Sequence, residues 1–210
     1  MLLHRTLQIA AAIAISATPL LAQEQELDVK VNEMYTKTYV EALPSLLEAS
    51  AKLREALGHK EDAAKLRAAI ADLTKGGTKP NADLATSLIV VQSDASKSIS
   101  ADLTAKTAVS PEQMQAFIDG ASAYLDGAFT TVQIAKLVPG LSKAIGEFQM
   151  PKNPMAVKKA MGTVAAGKAM ADNIPNLTQG NVDTAKALKA YIIANKIKIP
   201  TEKLSLDFGK

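Results

Sequence analysis

Apolar residues recur every three or four positions along most of this chain, which is the period of an amphipathic helix. The first such face carries Leu27, Val31, Met34, Thr38 and Ala42, and beyond Pro44 it continues with Leu46, Ser50, Leu53 and Leu57. Because proline lacks an amide hydrogen, Pro44 is predicted to kink or divide this helix. Gly58 is predicted to end it, since glycine favours the backbone conformation that follows a helix.

Capping residues mark where the later helices begin. Ser110 and Gln113 flank a proline in the order of a capping box, which predicts a helix start there, and Pro139 interrupts that helix. The other starts are predicted, in chain order, at His59, Asn81, Pro154 and Asn181. The predicted fold is therefore all-α: a single bundle of about six helices with an extended C-terminal tail, in which two long helices are kinked at Pro44 and Pro139.

The tail shows a different period. Apolar residues alternate with polar ones from residue 197 to residue 208, as in a strand. Leu204, Leu206 and Phe208 are candidate partner-binding residues, because an extended peptide can add to the edge of a partner's sheet. The favoured alternative is that the tail packs across its own bundle, since these side chains would otherwise be exposed to water.

Two segments resemble each other. Residues 69–88 and 169–188 share several alanines, an asparagine, two aspartates and a leucine at equal spacing, and both are interpreted as helix end, loop, cap and helix. A duplication would explain this similarity. Common capping chemistry in an alanine-rich chain is the favoured explanation, because asparagine and aspartate are favoured at helix starts.

The first 22 residues have the pattern of a secretory signal peptide. Arg5 precedes an apolar run over residues 7–17, and Ala22 ends a short segment suited to cleavage. The apolar run is shorter than the roughly 20 residues that a membrane span needs. The predicted organisation is a signal peptide over 1–22 and an all-helical domain over 23–210. The predicted location is the periplasm, with secretion as the alternative, and no membrane span is expected after cleavage.

Composition narrows the function classes. The chain has 210 residues, no cysteine, two histidines and a formal net charge of +3. So small a charge argues against nucleic-acid binding. Lysines concentrate in the second half, where they could meet anionic lipid headgroups or acidic partners, although a solvated helix surface explains them as well.

Motifs for enzymatic chemistry are weak. Removal of the signal peptide would leave His59 as the remaining histidine, too few for a zinc, haem or di-iron site, so no cofactor or metal is expected. Asp119 and Asp126 lie two helical turns apart, about 10 Å by rise alone, which suits a catalytic pair poorly. Close approach of a second helix is a better explanation for small residues at four positions, namely Gly120, Gly127, Gly162 and Ala166.

Methionines provide the remaining functional candidate. Flexible thioethers suit adaptable apolar surfaces, and five methionines fall in the second half together with three phenylalanines. The candidate ligand-binding residues are Met114, Phe117, Phe129, Phe148, Met161 and Met170. Ordinary core packing explains the same residues.

The sequence thus predicts an exported, non-enzymatic helical-bundle protein that binds an apolar small molecule or an envelope protein. The alternative is a structural or assembly factor of the cell envelope that acts through its helix faces or its tail. An enzyme that uses His59, Asp119 or Asp126 is the least favoured hypothesis, and the oligomeric state is left open.

Overall fold

The computed structural model describes residues 22–75 and 82–208, and this part of the chain is helical and contains no strand. The elements are α1 (22–35), a π-helical segment (Thr36–Ala42), α2 (Leu43–Ala56), α3 (Lys60–Lys75), α4 (Ala82–Thr104), a 3-10 turn (Pro111–Gln113), α5 (Met114–Ala135), α6 (Val138–Glu147), α7 (Pro154–Ala194) and α8 (Thr201–Ser205). The prediction of an all-α bundle is confirmed. The predicted signal peptide, apart from Ala22, and the predicted cap Asn81 lie outside the described residues.

Four helices, α2, α4, α5 and α7, form the centre of the bundle, with α3 packed on α2 and α4, and α6 packed on α7. α5 runs opposite to α2, because Gly127 lies beside Leu46 while Gly120 lies beside Leu53. We call the end at which α1 and α7 begin the α1 end. The opposite end, where α2, α4 and α7 finish, is the tail end, because the tail (residues 197–208) packs there against the second apolar core.

The two predicted proline interruptions take different forms. At Pro44 the chain stays helical, although proline has no amide hydrogen to donate. The preceding segment is π-helical, and in it the Leu43 N–H donates to the Thr38 carbonyl, five residues back. At Pro139 the helix breaks completely, since α5 ends at Ala135 and Pro139 lies in the first turn of α6. Proline therefore follows a π-helical segment within one long helix and divides the other.

The prediction that Asn181 caps a separate last helix is wrong. α7 is continuous over Pro154–Ala194 and includes Pro175, so residues 169–188 contain no loop. α7 packs against both α4 and α5 along this stretch. Such tertiary contacts commonly outweigh local signals that would end a helix. The duplication stays a hypothesis, because residues 76–81 of the first segment lie outside the described part.

The helix start at Ser110 is confirmed, but the predicted capping box is not. The Ser110 side chain makes no capping hydrogen bond, and the first turn is a 3-10 turn over Pro111–Gln113. A side-chain cap is found instead at Asn153, whose Oδ1 accepts from the Met155 N–H at 3.0 Å.

Close helix approach is confirmed at Gly120 and Gly127, where an added Cβ would meet α2. The same prediction is wrong for Gly162, because no atom lies within 4 Å of the space that its Cβ would occupy. Gly167 has this role in α7, with Val31 and Ile145 against it. One face of α7 is thus packed, and Gly162 lies on another.

The tail is partly helical. The alternation over residues 197–208 predicted a strand period, but Thr201–Ser205 forms the short helix α8, with non-helical backbone on either side. The favoured prediction that the tail packs across its own bundle agrees with the position of Phe208, which is buried in the apolar core at this end.

Candidate functional site

A layer of buried polar side chains crosses the middle of the bundle, which contains two apolar cores. On α7 the residues of the first core precede Asn181 and those of the second follow it, whereas on α2 the two cores alternate, with Leu47 in the first and Leu46 in the second. The polar layer consists of Ser50 from α2, Gln92 and Ser96 from α4, Tyr124 from α5, and Asn181 and Thr184 from α7.

Asn181 is the centre of this layer. Its Oδ1 accepts from Gln92 Nε2 at 3.2 Å, from Ser96 Oγ at 2.9 Å and from the Tyr124 hydroxyl at 3.1 Å. Its Nδ2 is buried and has no hydrogen-bond partner in the described part of the chain. Burial raises the pKa of Tyr124 to about 12. No side chain of the layer titrates near neutral pH, so it fixes how four helices meet and offers no acid or base.

Sequence reasoning missed this layer because it assigned Asn181 to a helix start. One signal was available: Ser50 falls on the otherwise apolar face of the first helix, and a polar residue at a core position requires a buried partner. That partner is Gln92, whose Oε1 accepts from Ser50 Oγ at 3.2 Å.

A charged cluster joins three helices at the tail end. The buried Arg54 guanidinium donates from Nη2 to Asp62 at 2.6 Å and from Nη1 to Asp102. His59, which is partly exposed, places Nε2 at 3.2 Å from Asp102. The hydrogen bond from Arg54 holds the pKa of Asp62 below its usual value. His59, the candidate histidine from the sequence, therefore lies beside this cluster of ion pairs.

No group of three or more histidine, aspartate or glutamate side chains within residues 22–75 and 82–208 is arranged to hold a metal ion. The candidate carboxylates are both exposed and both engaged. Asp119 accepts from Gln115 Nε2 at 2.8 Å, and Asp126 accepts from Lys203 Nζ at 2.8 and 2.7 Å. Asp126 thereby anchors the tail.

The π-helical segment carries two buried hydroxyls, those of Thr38 and Tyr39, that find no partner among the described residues. The Tyr39 ring lies against Tyr35 with 5.0 Å between centroids. Burial raises the pKa of Tyr39 well above its ordinary value. The first core therefore contains polar atoms that burial leaves unsatisfied, which costs about 1–3 kcal/mol for each such group.

The six residues predicted to line an apolar pocket are not brought together. Phe117 and Phe129 belong to the second core, whereas Phe148 and Met170 belong to the first. Met161 is 56% exposed. Met114, the sixth, is half-buried at the start of α5.

Open depressions lie elsewhere. One of about 410 Å³ lies between the ends of α4 and α7, lined in part by Leu103 and Tyr191, and another of about 390 Å³ lies between α3 and α4. Neither depression is lined by any of the six candidates.

Three methionines face solvent at the α1 end, among them the candidate Met161. Met155 is 86% exposed, Met161 56% and Met150 48%. We call this surface the methionine face and define it as Met150, Met155 and Met161 with the exposed lysines Lys152, Lys158 and Lys168. The opposite side of α7 is buried through Ala160, Ala166, Gly167 and Met170.

The lysines of the methionine face differ from their neighbour Lys159. Lys159 Nζ is 3.2 Å from Glu24 Oε1 and 2.9 Å from Asp28 Oδ2, which ties α7 to α1. Within the described part of the chain, Lys152, Lys158 and Lys168 form no ion pair. The methionine face is consequently apolar, basic and unpartnered.

The three candidate partner-binding residues of the tail lie against their own bundle. Leu204 and Leu206 are half-buried and Phe208 is buried. Lys189 fixes the end of the tail, because its Nζ donates to the Leu206 carbonyl at 2.5 Å and lies 4.6 Å from the Phe208 ring centroid. Burial lowers the pKa of Lys189.

Across residues 22–75 and 82–208, no helix combines the length and the apolar character that a membrane crossing requires. Comparisons with protein-family models, with curated proteins and with solved structures each found no significant match.

Proposed function

We propose that this chain is exported with residues 1–22 removed and acts as a non-enzymatic binding protein whose binding surface is the methionine face. One observation carries the proposal: Met155 and Met161, both on α7, are 86% and 56% exposed, although the same helix buries Met170 to 1%. Large apolar side chains grouped on a surface commonly mark an interaction site. Methionine suits such sites because its side chain adapts to different shapes.

Of the two ligand classes expected from the sequence, an envelope partner is better supported than an enclosed apolar small molecule. The aromatic candidates Phe117 and Phe148 lie in different cores, so they do not form one cavity. An assembly role for the tail is less well supported, because Phe208 is already covered by its own bundle.

Site-specific photo-crosslinking in the cells that export the protein tests this proposal. A benzophenone amino acid replaces Lys158 in one variant and Lys186 in the other. Both lysines are exposed on α7, and they lie near opposite ends of it. The proposal expects an adduct from position 158 and none from position 186. Equal adducts, or none at position 158, would contradict it.

A further inference from the structure

We infer that the partner of the methionine face is an anionic lipid surface. This inference rests on the proposed function and names the class of partner. The exposed side of α7 over residues 154–168 contains methionine, lysine, alanine and glycine but no carboxylate.

The geometry places apolar and basic groups in the order that a membrane interface needs. At about 100° per residue, Lys158 lies near the middle of the exposed arc of the helix, with Met155 on one side and Met161 on the other. Apolar side chains of a surface-bound helix enter the boundary between headgroups and acyl chains, while lysine amines remain among the phosphates.

The absence of carboxylates distinguishes this part of α7 from the rest of the helix, where Asp172 and Asp183 are exposed. Lys158 and Lys168 lie free of ion pairs within the described chain, so their charge is available to phosphate groups. Each lysine near an anionic membrane strengthens binding by about fivefold. Gly162, next to Met161, is exposed, and no atom lies within 4 Å of the space that its Cβ would occupy.

A protein partner fits this surface less well than a lipid surface does. Interfaces between proteins are enriched in methionine, but also in tyrosine, tryptophan and arginine, and they are poor in lysine. Residues 154–168 contain no aromatic side chain and no arginine, whereas Lys158, Lys159 and Lys168 lie among them. Lipid headgroups require only positive charge and accessible apolar groups.

Sedimentation with vesicles tests the inference. The chain beginning at Gln23, which contains every described residue except the first of α1, is mixed with vesicles of phosphatidylcholine alone or of equal parts phosphatidylcholine and phosphatidylglycerol. The inference expects binding to the anionic vesicles, weaker binding to the neutral ones, and a decrease with added salt.

Two double variants carry the same change of charge. Met155→Gln with Lys158→Glu alters the methionine face, whereas Ile193→Gln with Lys186→Glu alters exposed positions near the tail end of the same helix. The first variant should bind anionic vesicles at least about tenfold more weakly, since two units of charge and one apolar contact are lost. The second should bind nearly as well as the unchanged chain.

Three results would overturn the inference. The first is that the unchanged chain sediments with neither vesicle. The second is an equal loss of binding in both double variants, which would indicate nonspecific attraction. The third is a protein adduct at position 158 together with no vesicle binding; it would replace the lipid by a protein and leave the proposed function standing. Loss of both the adduct and the vesicle binding would remove both.

Discussion

The two ends of the bundle differ in the charged contacts that hold them together. At the tail end, Arg54 joins three helices through two carboxylates, and Lys203 and Lys189 fasten the tail over the second core. At the α1 end, Met155 projects into solvent, and the exposed Lys159 pairs with Glu24 and Asp28. Both ends expose apolar side chains, Ile193 at the tail end to 66% and Met155 at the α1 end to 86%, so the difference lies in the charged contacts.

The largest expected loss of stability comes from removing an ion pair, and it should differ between the two ends. Arg54→Ala removes a buried cation from two carboxylates and should destabilise the fold by about 3 kcal/mol. Lys159→Ala breaks an exposed pair with Glu24 and Asp28 at the α1 end and should cost at most about 1 kcal/mol. Urea unfolding measures both. Similar losses of unfolding free energy for the two variants would contradict this difference between the ends.

A smaller difference is expected between two buried tyrosines. Tyr124→Phe deletes a hydroxyl that bonds to Asn181 and Ser96, which should cost about 1–2 kcal/mol. Tyr39→Phe deletes a hydroxyl with no partner among the described residues, so the variant should be as stable as the unchanged chain or slightly more stable. A clear loss in Tyr39→Phe would mean that its hydroxyl is satisfied.

The raised pKa of Tyr124 also predicts how stability changes in alkaline solution. Burial raises the pKa of Tyr124 from 10.0 to about 12, so between these values the unfolded chain releases a proton that the folded chain keeps. Stability should therefore fall as the pH rises from about 10 towards 12, and Tyr124→Phe should flatten that part of the curve. Denaturation midpoints across this range provide the measurement, with Tyr191→Phe as the comparison.

The smallest effect concerns two glycines. An alanine Cβ at Gly120 would press on the Leu53 backbone and Lys52 Cβ, neither of which can move without α2, so Gly120→Ala should cost about 1 kcal/mol. Gly162→Ala meets no atom within 4 Å. It should gain about 0.5–1 kcal/mol, because alanine favours helix more than glycine does. Thermal unfolding of both variants tests the signs, and a loss for Gly162→Ala would place an unseen contact there.

Sequence reasoning succeeded where one local rule decided the outcome. The apolar face that begins at Leu27 is buried throughout, Gly58 ends α2 with a positive φ of 93°, and Gly120 and Gly127 admit a neighbouring helix. The prediction failed where residues distant in the chain determine the environment of a side chain. Asn181 was predicted as a cap from its neighbours in the chain, whereas its hydrogen-bond partners belong to α4 and α5.

The candidate site was harder to predict for a related reason. Periodicity shows which residues share a helix face but not which faces another helix covers. Met161 and Met170 lie on one helix and looked equivalent, yet one is 56% exposed and the other 1%. The difference depends on where α1 and α6 pack against α7, which no local pattern encodes.

Methionine oxidation inside the exporting cells tests the central claim, that the α1 end is the binding end. Peroxide applied to the purified protein should oxidise Met155 first, Met161 and Met150 next, and Met34 and Met170 last, in the order of their exposure. Peptide mass spectrometry reads each position separately. In intact cells the account predicts that Met155 and Met161 are protected relative to the purified protein. Equal oxidation of these two methionines in both preparations would contradict the account.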